Sequence, residues 1–248
     1  MGIVLAPGEM RSLMVELHRH FVTAGSTNDL CMELLRESEG DVLVTADAQS
    51  EGRGRMKRVW FSPPGGLYFS LGVHGSDPLS LPLIAAIAIC SSVRVLGAGA
   101  RVRWPNDVLA RKGKKEAERK LSGVLIDAKG ALAVVGIGVN IKGSSRVLPK
   151  DVHGIAVTLE ELGIKAEPKD LLLDILRNFR DLQGSDRSRL VKEYASMCGT
   201  LGRRVDVEVL NGKKVVGRAS RLTNDGFLLV EAEEGEVTID SCIRLDEL

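Results

Sequence analysis

Four cationic side chains, Arg53, Arg55, Lys57 and Arg58, fall within six positions of the stretch QSEGRGRMKRVWFSPPGGLY (residues 49–68). Gly52 and Gly54 sit among them, and the aromatic pair Trp60–Phe61 follows. Guanidinium forks match the oxygens of phosphates and carboxylates two bonds at a time, and glycine lets a backbone approach a ligand closely. The chemistry this suggests is capture of a small anion by a loop able to fold around it. A solvated basic turn has the same composition. Trp60 and Phe61 weigh toward a partner, because an exposed loop seldom keeps two adjacent aromatics uncovered.

Three other constellations bear on the same chemistry. Arg103-Trp104-Pro105-Asn106-Asp107 puts an Asn-Asp pair between apolar runs, where it can hold a metal-bound phosphate or simply form an Asx turn. Lys120-Leu121-Ser122-Gly123 opens an apolar run with an ammonium beside two small residues; the ordinary reading makes Lys120 the last residue of a charged loop. Gly136-Ile137-Gly138-Val139-Asn140 places glycines inside a strand, which weakens it unless something must come close. The alternative there is a bulge and a turn asparagine. It is not a dinucleotide-binding fingerprint, since no helix follows at the required spacing.

These residues need elements to carry them. Residues 28–38 have apolar positions at helical spacing, with Ser26, Thr27 and Asn28 as candidate caps. Strands are predicted at 41–48 and 66–73, on either side of the basic loop, and a buried helix at 81–97. A charged turn at 112–120 leads into LSGVLIDA and ALAVVGIGVNI, a hairpin turning at Lys129-Gly130 whose continuous apolar runs imply two covered faces. Residues 142–156 read as a loop. Helices are expected at 157–163, 168–182 and 186–197, the second with Pro168 at its start. After Gly199-Thr200-Leu201-Gly202 the pattern changes to short alternating runs separated by Asn-Gly, Asn-Asp-Gly and Glu-Gly, the signature of a small antiparallel β unit. The expected organisation is a large unit at 1–198 and a small one at 199–248.

Totals exclude some function classes. The net charge of +1 over 248 residues is not that of a general nucleic-acid binder. The first 198 residues carry 27 basic and 23 acidic side chains and the last 50 carry 7 and 10, so the basic site belongs to the large unit. Cys31, Cys90, Cys198 and Cys242 lie far apart in apolar contexts and read as reduced thilols of a cytoplasmic protein rather than a zinc site. The longest apolar run, around residues 81–90, is too short to span a bilayer, and the first residues lack a signal-peptide pattern. His18, His20, His74 and His153 occupy no motif and read as ordinary surface or helix residues.

Taken in order, the motifs resemble the biotin protein ligase family. They are GSTN at 25–28, TADAQ at 45–49, GRGR at 52–55, R-x-W-x-S-P at 58–63, G-x-L-Y at 65–68, WPND at 104–107, K-L-x-G-x-L at 120–125 and GIGVN at 136–140. The resemblance is dense over residues 20–165 and extends to the small C-terminal unit. It implies an α+β fold: a catalytic domain like class II aminoacyl-tRNA synthetases and biotin/lipoate ligases, with a mixed sheet and flanking helices, plus a small C-terminal SH3-like β-barrel.

The resemblance also implies an activity: ATP-dependent formation of biotinyl-5′-AMP, then transfer of biotin to a lysine of a biotin carboxyl carrier domain of a biotin-dependent carboxylase. Residue by residue, Ser26, Thr27, Asn28, Gln49, Gly52, Arg53, Gly54, Arg55, Lys120 and Gly123 match biotin-binding positions. Arg55, Arg58, Trp60, Asn106, Asp107, Lys120 and Asn140 match positions around ATP. Arg53 and Lys120 are the catalytic pair, and Asp107 is the candidate ligand for Mg²⁺. The sequence departs from the family at Lys57, where glycine is usual, and at Arg103, where lysine is usual.

The nearest alternative is a lipoate–protein ligase-like acyl transferase of the same fold; those families place an Arg-Arg and Gly-Gly-Gly run where this chain has GRGRMKRVWFSPPGGLY. Some family members carry an N-terminal DNA-binding helix-turn-helix. Only 24 residues precede Gly25 here, so no DNA partner is expected, nor a membrane one. A homodimer is compatible with an exposed sheet edge.

Overall fold

Seven strands form one sheet in the computed structural model, which describes residues 2–113 and 116–248, and only the backbone of Arg146, Asp151 and His153. Two lysines of the expected charged turn, Lys114 and Lys115, and the His153 side chain therefore lie outside the described residues. The strands are β1 (Leu17–Ala24), β2 (Val42–Gln49), β3 (Leu67–His74), β4 (Gly99–Arg103), β5 (Asp107–Arg111), β6 (Arg119–Lys129) and β7 (Leu132–Val139). Their order is β1-β2-β3-β7-β6-β5-β4, with β1 and β2 parallel and every other pair antiparallel. The central strands are near-continuous apolar runs because both faces are covered. β6 and β7 join through a two-residue turn with Gly130 at φ 62°.

One face is covered by α3 (Leu81–Val95) and α5 (Pro168–Leu182), with α6 (Arg187–Met197) alongside. α3 is buried nearly all round, since it lies between sheet and helix. The other face carries α2 (Thr27–Glu37), whose Cys31 and Leu35 pack on Val42, Val44 and Val134. α2 covers only the β2–β3–β7 end. Towards β6 and β5 that face stays open, and this opening is the site.

A second sheet follows, with β8 (Arg204–Glu208), β9 (Lys214–Leu222), β10 (Leu228–Ala232), β11 (Gly235–Ile239) and β12 (Arg244–Glu247) in the antiparallel order β11-β10-β9-β8-β12. It is SH3-like, but β11 and β12 are its two edges and do not pair, so the expected barrel is an open sheet. It meets the large sheet through Arg101, whose Nε lies 2.7 Å from Glu118 and whose Nη2 lies 2.5 Å from Glu247, all three side chains being nearly buried.

The structure departs from expectation in four places. α1 (Pro7–Ser12) and β1 were not foreseen. Residues 157–163 are a turn, not a helix, because the amides of Leu159 and Glu160 pair with the carbonyls of Asn140 and Ile141, and Gly163 at φ 81° ends the segment. The loop at 142–156 contains a short 3₁₀ turn at Ser145–Val147 and α4 (Lys150–His153). His18 and His20 lie half-buried on β1, both 3.0 Å from Thr45 Oγ1, and are not surface or helix residues. The four cysteines are free and buried as expected. Burial pushes Cys31 up to about 12 and Cys90 up to about 11, so both are inert thiols.

Candidate active site

A cavity of about 560 Å³ opens at the start of α2, between the β5–β6–β7 face, the basic loop and the second sheet. Every residue matched to a biotin, ATP or metal position borders it except Gly52, which lies behind Trp60; Lys57 of the basic loop does not line it. Arg53, Lys120 and Asn140, distant in sequence, share this one space.

One wall is a hydrogen-bond chain at the start of α2. Ser26 Oγ accepts from the Asp29 amide at 3.4 Å and so caps the helix. The Thr27 amide and hydroxyl donate to Gln49 Oε1 at 2.9 and 3.0 Å, and Gln49 Nε2 donates to Ser62 Oγ at 2.9 Å. Ser70 Oγ donates to Asn28 Oδ1 at 2.7 Å, and Asn28 Nδ2 donates to Asp127 Oδ2 at 2.9 Å. Arg53 Nη2 completes the chain with Asp127 Oδ2 at 2.9 Å and Asp29 Oδ1 at 2.5 Å.

The in-strand glycines are explained by close approach rather than by a bulge. A Cβ on Gly136 would stand 2.0 Å from Asn28 Oδ1, and one on Gly138 would stand 2.4 Å from Trp60 Nε1. Asn28 and Trp60 thus lie directly on the β7 backbone. Gly123 opposes Gly138 in the register and keeps the same floor clear beside Trp60 and Lys120.

The opposite wall is ionic. Asp107 is buried, with Lys120 Nζ 2.6 Å from Oδ1 and Arg103 Nη2 2.7 Å from Oδ2. Burial alone would raise the Asp107 carboxyl, but the attraction of Lys120 and then Arg103 outweighs it and holds it below its ordinary range. Lys120 Nζ also sits 5.1 Å from the Trp60 ring centroid. Asn106 Nδ2 donates to the Val124 carbonyl at 2.8 Å, and Asn140 is tied to the Leu121 carbonyl through its amide at 2.9 Å. Asp107, the residue expected to bind Mg²⁺, has both of its oxygens against cations in this structure. Among the described residues no group of three acidic, histidine or cysteine side chains could hold a metal.

The basic loop is folded against the second sheet. Arg55 Nη1 donates to Asn106 Oδ1 at 3.1 Å, and Nη2 to Ser241 Oγ at 3.0 Å and to the Cys242 carbonyl at 3.3 Å. Arg58 Nη2 donates to the Ile243 carbonyl at 2.8 Å. Met56 and Lys57 take left-handed φ values of 55° and 58°, so Lys57, where the family pattern has glycine, stands in a conformation that suits glycine. Phe61 remains partly exposed.

Sequence reasoning missed Asp29, Asp127, Ser62, Ser70 and the Ser241–Ile243 segment. Asp127 had one available signal: it alternates with Gly123 and Leu125 along β6 and so shares their face.

A family model described as the biotin/lipoate A/B protein ligase family matches residues 22–142, and one described as the biotin protein ligase C-terminal domain matches residues 200–241. A biotin–[acetyl-CoA-carboxylase] ligase of Mycobacterium tuberculosis is 31% identical over 235 residues, covering 88% of this chain and 84% of that protein. A bifunctional ligase/repressor BirA of Bacillus spizizenii is 30% identical over 227 residues, covering 85% of this chain and 68% of the relative. The structure of a biotin protein ligase from Aquifex aeolicus in complex with biotin and ATP superposes with a TM-score of 0.77 at 28% identity, covering 94% of this chain and all of that one.

Proposed function

Because the chain belongs to the biotin protein ligase family, we propose that its cavity joins biotin to ATP and passes the product to a carrier protein. The enzyme is a biotin–protein ligase. The model at residues 22–142 spans biotin and lipoate ligases alike, whereas the one at 200–241 and the relatives above are of biotin ligases, which decides against the lipoate alternative.

In the first step the biotin carboxylate attacks the α-phosphorus of ATP, giving biotinyl-5′-AMP and pyrophosphate. In the second a lysine amine of the acceptor attacks the acyl carbon and AMP leaves. Two negative reactants must meet, so the protein's task is to supply fixed positive charge where negative charge gathers. Lys120 is held for this by Asp107, and Arg53 by Asp127 and Asp29. The Arg55 loop closes over the mixed anhydride and keeps water away. Magnesium arrives with ATP as part of the substrate, and no protein step is assigned to the metal.

The observation that carries this reading is the convergence of Arg53, Lys120 and Asn140 on one cavity. The acceptor is a biotin carboxyl carrier domain, a reading supported by the name of the Mycobacterium tuberculosis relative. The buried free thiols are in keeping with a cytoplasmic setting. The open edge of β1 is in keeping with a homodimer. We take residues 1–198 as the catalytic unit and 199–248 as the unit that backs the basic loop. Incubation with biotin, MgATP and a carrier domain, read by intact mass, tests the proposal: a gain of one biotinyl group on the carrier supports it, and an unmodified carrier overturns it.

A further inference from the structure

We propose that Asp127 is a positioning residue for adenylation, clamping the flap residue Arg53 to the rigid β6–β7 floor so that its free nitrogens face the substrates. The inference rests on the ligase reading above and adds a residue to it.

Arg53 belongs to the loop, its backbone bridged to Val59. Its Nη2 is bound twice, by Asp29 and Asp127, while Nε and Nη1 have no protein partner among the described residues. A fork with one prong fastened and the rest free is suited to an incoming carboxylate or phosphate.

The two anchors differ. Asp29 is 57% exposed on the first turn of α2 and holds nothing but its own helix cap and Arg53. Asp127 is 33% exposed on β6, and the oxygen that holds Arg53 also holds Asn28. Asn28 is buried, fixed by Ser70, and seated on the Gly136 backbone. A continuous rigid path therefore runs from Arg53 through Asp127 and Asn28 into the sheet. A guanidinium aimed before the substrates arrive need not be ordered during the reaction, which is the advantage of preorganisation.

Asp127→Asn tests this, since it keeps an acceptor oxygen for Asn28 and removes the charge that holds Arg53. Single-turnover formation of biotinyl-5′-AMP is expected to slow by about tenfold or more, with the KM for ATP changing by less than about twofold. In an Arg53→Ala background the same substitution is expected to cost less than about twofold, because its effect passes through Arg53. Equal losses in both backgrounds, or a rate like the parent's, overturn the inference. Amide exchange over residues 52–60 gives a reading even where Arg53→Ala is too slow to assay: Asp127→Asn is expected to speed exchange in the parent but not in Arg53→Ala, and no acceleration in the parent counts against the clamp. If the parent chain itself makes no adenylate, the ligase reading fails and the inference with it; if only the Asp127 effects are missing, the ligase reading stands alone.

Discussion

Lys120 Nζ lies 2.6 Å from Asp107 Oδ1, inside a cavity wall where Arg103 already holds the other carboxylate oxygen. The ammonium is thereby fixed against the Trp60 ring. Asp107 neutralises part of its charge and at the same time sets its position, so the pair works as a mounted cation rather than a mobile one.

Lys120→Ala removes that cation from the point where phosphate and carboxylate meet. Adenylate formation is expected to lose about 2–4 kcal/mol of transition-state stabilisation, the usual cost of deleting one preorganised donor. Arg103 remains to pair with Asp107, so the variant is expected to fold. Pre-steady-state measurement of biotinyl-5′-AMP checks this, and a parent-like rate removes Lys120 from the reaction.

Lys57 holds a left-handed backbone at φ 58°. Left-handed conformation costs a side-chain-bearing residue about 1–2 kcal/mol, while glycine adds about 0.5–1 kcal/mol of unfolded-state freedom. Lys57→Gly is therefore expected to stabilise the protein slightly, by about 0.5–1 kcal/mol, and Lys57→Ile to destabilise it. Denaturant midpoints for the two variants decide the sign.

Arg58 reaches the Ile243 carbonyl, and Arg55 reaches Ser241 and Cys242, so the second sheet holds the flap down. Arg58→Ala deletes one charged hydrogen bond across that boundary, worth about 1.5–3 kcal/mol when well shielded and less at this exposed site. Adenylate is expected to form but to escape faster, seen as free biotinyl-5′-AMP in a filtration assay. Unchanged retention would separate the flap from the second sheet.

His18 is pushed down from its ordinary 6.5 to about 4, first by burial and then by neighbouring His20, Arg19 and Lys169. The unfolded chain therefore binds a proton between those values that the folded chain refuses, so stability falls as pH drops from about 6.5 toward 4. The His18 ring takes a hydrogen bond from the Leu5 amide at 3.4 Å and meets Thr45 at 3.0 Å, so protonation strains the attachment of the N-terminal segment to β1. His18→Gln is expected to flatten this part of the pH–stability curve in urea melts, and a curve of unaltered slope refutes the assignment.

What the sequence revealed followed from range. α5 was predicted with its observed bounds because Pro168 starts it and its apolar stripe is regular. The Arg53, Lys120 and Asn140 convergence was legible through ordered motifs. The partners were not: Asp127 lies 74 positions from Arg53 and Ser241 lies 186 positions from Arg55, and only the hairpin register and the docking of the two sheets bring them together. β1 was hidden because LHRHFVTA, on a sheet edge, mixes charged and apolar residues without a clean alternation. The segment at 157–163 looked helical by composition, yet its amides are taken by the strand exit beside it.

Cations gathered from the flap and the sheet bring two anions together and keep the product in place. The most direct test is to mix parent and Arg53→Ala protein with biotin and MgATP, without acceptor, and to follow bound and free biotinyl-5′-AMP over time. Rapid formation and tight retention are expected of the parent, and slow formation or leakage of the variant. A variant that makes and keeps the adenylate as the parent does contradicts this role of the cations.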